Sequence, residues 1–273
     1  MEEFKNKIID YLMKHGKAKW GDLLALGIPK ASLSRVLKSL LSSGMVKKED
    51  KFYVLTEKAF VALVPDYAHQ ICLLIECEDR DALTADLMKF GSVIELIENA
   101  RTRFIENYMK MIKFLDPTGL ISGMFKELYS HRGFFAIFMT ELSKASKGIE
   151  TILRCDKFDF SICPRLRNMI EAIDFSKYMG IDRKVLEEAS KLDEVLKNHN
   201  YNGFITLNLM GTKMKLNIEQ FLLMAISQMP FNPNIIKAYS FIFQLAFNYH
   251  RTGCRPLGEK EIEELKNICV SIP

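Results

Sequence analysis

The residues best equipped for chemistry lie between Lys30 and Lys51. In SLSRVLKSLLSSG, Ser32 to Gly44, five apolar residues (Leu33, Val36, Leu37, Leu40 and Leu41) recur at helical spacing. At roughly 100° per residue they cover an arc of about 140°. Ala31, Arg35, Lys38 and Ser42 lie opposite, with Ser32, Ser34 and Ser39 on the flanks. A guanidinium, an ammonium and short hydroxyls on one helix face are the groups that meet a polyanion. Arg35 suits bidentate contact with guanine, and Ser32 and Ser34 let the backbone approach bases or phosphates. Lys30, Lys38, Lys47, Lys48 and Lys51 suit phosphate contacts, which position a protein without reading sequence. The competing interpretation is an ordinary solvated helix face.

Other chemistries find little material. The chain holds no Walker-type loop, no G-x-G-x-x-G, no H-E-x-x-H and no G-x-S-x-G. His69, Cys72 and Cys77 match no common zinc spacing. His131-Arg132 and His250-Arg251 read as exposed residues in or near turns, and the carboxylates form no conspicuous pair. No catalytic residue, metal or cofactor is expected, and the chain is not read as an enzyme.

The elements needed to position the basic face are also legible. Phe4, Ile8, Ile9 and Leu12 recur at helical spacing before Gly16, and a short second helix in KWGDLLALG stops at Gly27. Pro29 opens the third helix and Gly44 closes it. MVKK and FYVL read as strands around the turn EDK, and Thr56 as the N-cap of a fourth helix that stops before Pro65. The order of helix, helix, helix and hairpin is that of a helix-turn-helix with a wing. Trp20, the one tryptophan, is expected to pack beneath it; a bond from its indole N–H to a phosphate is the alternative.

LGIPKASLSRVLKSLLSSGMVKKEDKFYVLTEKA resembles the winged-helix domains of ArsR- and MarR-type transcriptional regulators. SLSRVLKSL matches the recognition helix, SSGMVKK the glycine turn into the wing, and LTEKA the segment after it. The resemblance covers about the first 60 residues and implies a fold that binds double-stranded DNA. The wing turn departs from it, since Glu49 and Asp50 are poor phosphate partners. Charge agrees with a polyanion partner: Met1–Lys58 carries 12 Lys and Arg against 7 Asp and Glu, and the rest of the chain 26 against 27.

The expected fold is mainly α, with a winged-helix domain over residues 1–64 and a large all-helical domain over 65–273. In the second, Val93, Ile97, Ala100, Phe104, Tyr108, Met111 and Leu115 form one stripe of a long helix. It reads first as the centre of this chain's own bundle and second as a dimer-forming helix. GFITLNLMGTKMKLN is the one stretch that alternates like strands. The many Met and Phe residues point to an adaptable core, and next to a pocket for a small apolar effector. A homodimer is expected, because two half-sites supply avidity that one helix in one groove lacks.

The charged start MEEFKNKIIDYL is unlike a secretory signal, and the most apolar segments are shorter than the roughly 20 residues of a membrane span. Six cysteines without tight pairs argue for a reducing compartment and against a disulfide scaffold, hyperthermophile cytosols being the exception in which a pair such as Cys155 and Cys163 is bridged. A cytoplasmic location follows. The alternative function is a winged helix that docks onto protein within a larger assembly.

Overall fold

The computed structural model describes residues 2–112, 120–173, 180–209, 212–227 and 232–271, and they are mainly helical. Helix α1 (Glu2–His15) buries Ile8, Ile9 and Leu12 and ends at Gly16, whose φ of +72° suits glycine and whose N–H reaches the Leu12 carbonyl at 2.8 Å. Strand β1 (Lys17–Ala18), α2 (Trp20–Leu24) and α3 (Lys30–Ser42) follow. Then come β2 (Val46–Glu49) and β3 (Phe52–Leu55), antiparallel with Val46 opposite Leu55 and Glu49 opposite Phe52. β1 pairs with the free edge of β3, giving the order β1-β3-β2. Pro29 sits at the N-cap of α3, and Gly44 follows the helix in the left-handed region, as their positions in the sequence predict.

Two details differ from the sequence reading. Leu41, at the edge of the stripe, is 39% exposed rather than buried. Thr56 occupies the N-cap of α4 (Glu57–Val61) but makes no capping bond. Its hydroxyl donates instead to the Gly44 carbonyl at 2.6 Å, fastening the end of the hairpin to the end of α3.

Ile8, Leu12, Leu23, Leu33, Leu37, Leu40, Val46 and Phe60 belong to one core, and a second, larger core begins at Val64. Leu63 packs against both. The second core is built by α5 (Val64–Ile75), α6 (Arg80–Met88), α7 (Gly91–Ile112), α8 (Leu120–Ser130) and α9 (Arg132–Arg154). It continues through α10 (Pro164–Glu171), α11 (Arg183–Ala189), α12 (Leu192–Asn198), the hairpin β4 (Phe204–Leu209) and β5 (Thr212–Asn217), α13 (Ile218–Ser227), α14 (Pro233–Thr252) and α15 (Glu259–Ser271). The hairpin means that this region is not all-helical; it lies where the alternating segment predicts it.

α9 is the central element, with Phe134, Phe135, Phe138 and Met139 essentially inaccessible and α14 packed along it. Their crossing is close at Gly148, where a Cβ would sit 1.8 Å from the Ala246 carbonyl oxygen. The stripe of α7 belongs to this same bundle: Val93, Ile97, Ala100, Phe104 and Tyr108 are buried in its core, while Leu115 lies outside the described residues.

The cysteine reading needs correction. All six are paired, Cys72 with Cys77, Cys155 with Cys254 and Cys163 with Cys269, so Cys155 is bridged to a residue other than Cys163. Their wide spacing hid this, since two bridges join residues 99 and 106 positions apart. One described stretch, Glu57–Ile75, is long and apolar enough to cross a membrane. Tyr67, Ala68 and Ile71 within it are wholly buried in the second core, which gives it a partner inside the fold.

Candidate nucleic-acid interface

The face of α3 opposite Leu33, Val36, Leu37 and Leu40 is open. Ser34, Arg35 and Lys38 are exposed on it or at its flank, Lys30 is exposed at the first turn on the stripe side, and Ser32 is half-buried at the flank. Among the described residues Lys30, Arg35 and Lys38 make no ion pair, unlike most arginines of the larger region, which are held by carboxylates. Three cations on one short helix, without an ion pair among the described residues, leave a positive surface.

The hairpin treats its three lysines differently. Lys47 pairs with Glu49 two residues on, at 2.8 Å, in an exposed pair of the weak surface kind. Lys48 stands over the ring of Tyr53, its cross-strand neighbour, at 5.9 Å. Lys51, in the turn, is exposed without an ion pair among the described residues. Asp50 takes the left-handed conformation at φ +52°, one that Asp tolerates better than most residues. Two further cations join this edge. Lys17 and Lys19 place their ammonium groups 4.7 and 5.3 Å from the Phe52 ring centroid. Sequence reasoning missed both, because β1 is only two residues long and carries no strand signal of its own.

Trp20 opens α2 and is 37% exposed, so it does not pack beneath the neighbouring helices as expected. Its indole N–H has no partner among the described residues.

His131 lies in the bend between α8 and α9, as a place near a turn expects, but it and Arg132 are half-buried rather than exposed. His131 is the N-cap of α9, with Nδ1 accepting the Phe134 N–H at 3.2 Å. Arg132, about one-fifth exposed, joins the two cores. It reaches Glu98 on α7 at 3.4 Å, Asp66 on α5 at 3.1 Å and Asp10 on α1 at 3.5 Å. Glu98 is 1% exposed and also accepts from Arg101 at 2.6 Å and from the Tyr67 hydroxyl. Burial alone would push the Glu98 carboxyl up; the hydrogen bonds of Arg101 and Tyr67 and the charges of Arg101 and Arg132 win and hold it below the usual carboxylate range.

His250 and Arg251 lie in the last turn of α14. His250 borders a cavity of about 490 Å³ with Glu141, Lys144, Tyr201 and Glu219. Burial and the nearby lysines Lys144, Lys147 and Lys197 keep its imidazole neutral to lower pH than usual, with Asp193 opposing them. This cavity gathers a histidine and carboxylates, yet each carboxylate is engaged. Glu141 accepts from Lys144 at 2.6 Å and Tyr201 at 2.7 Å, and Glu219 accepts from Arg251. Cys72 and Cys77, bracketed with His69 in the metal reading, are tied to each other instead.

Comparison with known proteins finds no family model, no curated protein and no solved structure that matches the chain.

Proposed function

We propose that residues 1–64 work as a winged helix that binds double-stranded DNA through α3, and that residues 65–273 hold the protein as a homodimer and sense a small apolar effector. The protein is then a transcriptional regulator of the cytoplasm. The observation that carries this reading is the open face of α3, where Arg35 and Lys38, with Lys30 at the helix start, make no ion pair among the described residues on a helix anchored by four buried residues. Arg35 would read a base, Ser32 and Ser34 would admit the close approach, and Lys38, Lys48 and Lys51 would meet phosphates, joined by Lys17 and Lys19 at the hairpin edge. Lys47 would meet a phosphate by exchanging its exposed pair with Glu49. Three disulfides suit a cytosol in which bridges persist, as in hyperthermophiles.

The test is the salt dependence of binding to a random duplex. Proteins that neutralise six to ten phosphates lose about 10³ to 10⁵ in affinity between 50 and 200 mM salt. A loss of at least tenfold over that range supports the reading; no binding by folded protein at the lower salt refutes it. A second reading, docking onto a protein partner, is favoured by the acidic hairpin tip at Glu49 and Asp50 and by exposed Trp20 and Leu41. It predicts no duplex binding at low salt.

A further inference from the structure

A second cavity, of about 740 Å³, opens between α5, α6, the start of α9 and the β4–β5 hairpin. Its volume lies within the range of small-molecule sites, which combine apolar walls with a few polar groups. The walls here are chiefly aliphatic: Leu73, Leu74, Leu128 and Leu207, with Phe134 as the one aromatic ring. Leu73 in this wall is 61% exposed.

The polar lining is mixed, with Glu76, Thr206 and Asn208 beside the donors His131, Arg80 and Lys213. Because Nδ1 of His131 accepts the Phe134 N–H, its ring proton sits on Nε2, and burial keeps the ring neutral to lower pH than usual. His131 therefore offers an N–H donor. Arg80 and Lys213 border the same cavity and form exposed pairs with Asp81 and with Glu76, the latter also in the lining. Such pairs contribute little and exchange readily for another anion. Four leucines beside one neutral and two cationic donors fit an anion with an aliphatic tail.

We propose that this cavity binds a medium-chain aliphatic carboxylate, its chain against Leu74, Leu128 and Leu207 and its carboxylate accepting from His131, Arg80 and Lys213. Occupancy would be felt next door, since Arg132, which links α1 to α5 and α7, directly follows His131. That regulatory use rests on the DNA-binding reading above; ligand binding itself does not.

The test is calorimetric titration of the full-length protein, without DNA, with hexanoate, octanoate, decanoate and decanol. Saturable binding at one site per chain is expected, strengthening about three- to fourfold per added methylene. Decanoate is expected to bind at least tenfold more tightly than decanol. The surface variant Arg80→Gln/Lys213→Gln should weaken decanoate at least fivefold and leave decanol unchanged, and Leu73→Glu should weaken both. No saturable binding, equal affinity for decanol and decanoate, or a double variant that binds decanoate like wild type would each overturn the proposal. Failure of the DNA reading would leave these titrations unaltered, so the two are separable.

Discussion

Arg35 and Lys38 share a helix face and differ in what they offer. A guanidinium presents a planar fork matched to the guanine edge, whereas an ammonium is a compact charge that any phosphate satisfies. Arg35→Ala is therefore expected to flatten preference among duplex sequences, while Lys38→Ala lowers affinity for all of them and reduces the salt slope by about one, as selection experiments and salt titrations would record. Glu98 is the opposite kind of residue, a buried charge whose partners are internal. Glu98→Gln leaves Arg101 and Arg132 under-neutralised and is expected to lose about 3 to 5 kcal/mol of stability in urea denaturation at neutral pH. Its carboxyl is held lower in the fold than in the unfolded chain, so its contribution is complete above the ordinary carboxylate range and disappears as pH falls through the folded value. Wild type should thus lose stability on acidification below about pH 4.5 more steeply than Glu98→Gln, a difference that equal slopes would rule out.

At the level of elements, the first sixty residues were legible because their signals are local. The stripe of α3, the glycines at 16 and 44 and the alternation of the hairpin are all read within a few positions. The hairpin of β4 and β5 announced itself by alternation in the same way. What the sequence did not disclose is contact between distant elements. Arg132 looks like a loop residue until α1 brings Asp10, 122 positions away, beside it. β1 becomes a strand only because β3 offers an edge. The crossing of α9 and α14 is of this kind: Gly148 lies mid-helix, where glycine is otherwise unfavourable, and its reason is the Ala246 backbone against it. Gly148→Ala must push the two central helices apart. It is expected to cost about 3 kcal/mol, the upper end of overpacking penalties, read as a lower urea midpoint. A gain in stability would mean the helices sit further apart than described.

Across the whole molecule, two bridges tie the region between α9 and α10 to the C-terminal part of the chain, Cys155 to Cys254 and Cys163 to Cys269. On the chain-entropy model, closing a loop of about 100 residues is worth about 4.7 kcal/mol. At about 2 to 4 °C per kcal/mol, full reduction should lower the melting temperature by about 10 °C or more. An unchanged melting temperature would show that these thiols are not paired. The same scale holds the central claim, that a basic module with its own core presents α3 to DNA while the larger region supports it. The measurement that tests it most directly is fluorescence anisotropy of a labelled random duplex, titrated with wild type and with Arg35→Ala/Lys38→Ala at about 50 and 200 mM salt. The account predicts wild-type binding that weakens steeply with salt, and a double variant that melts like wild type yet binds at least tenfold more weakly. Equal binding by the two proteins, or none by either at the lower salt, would contradict it.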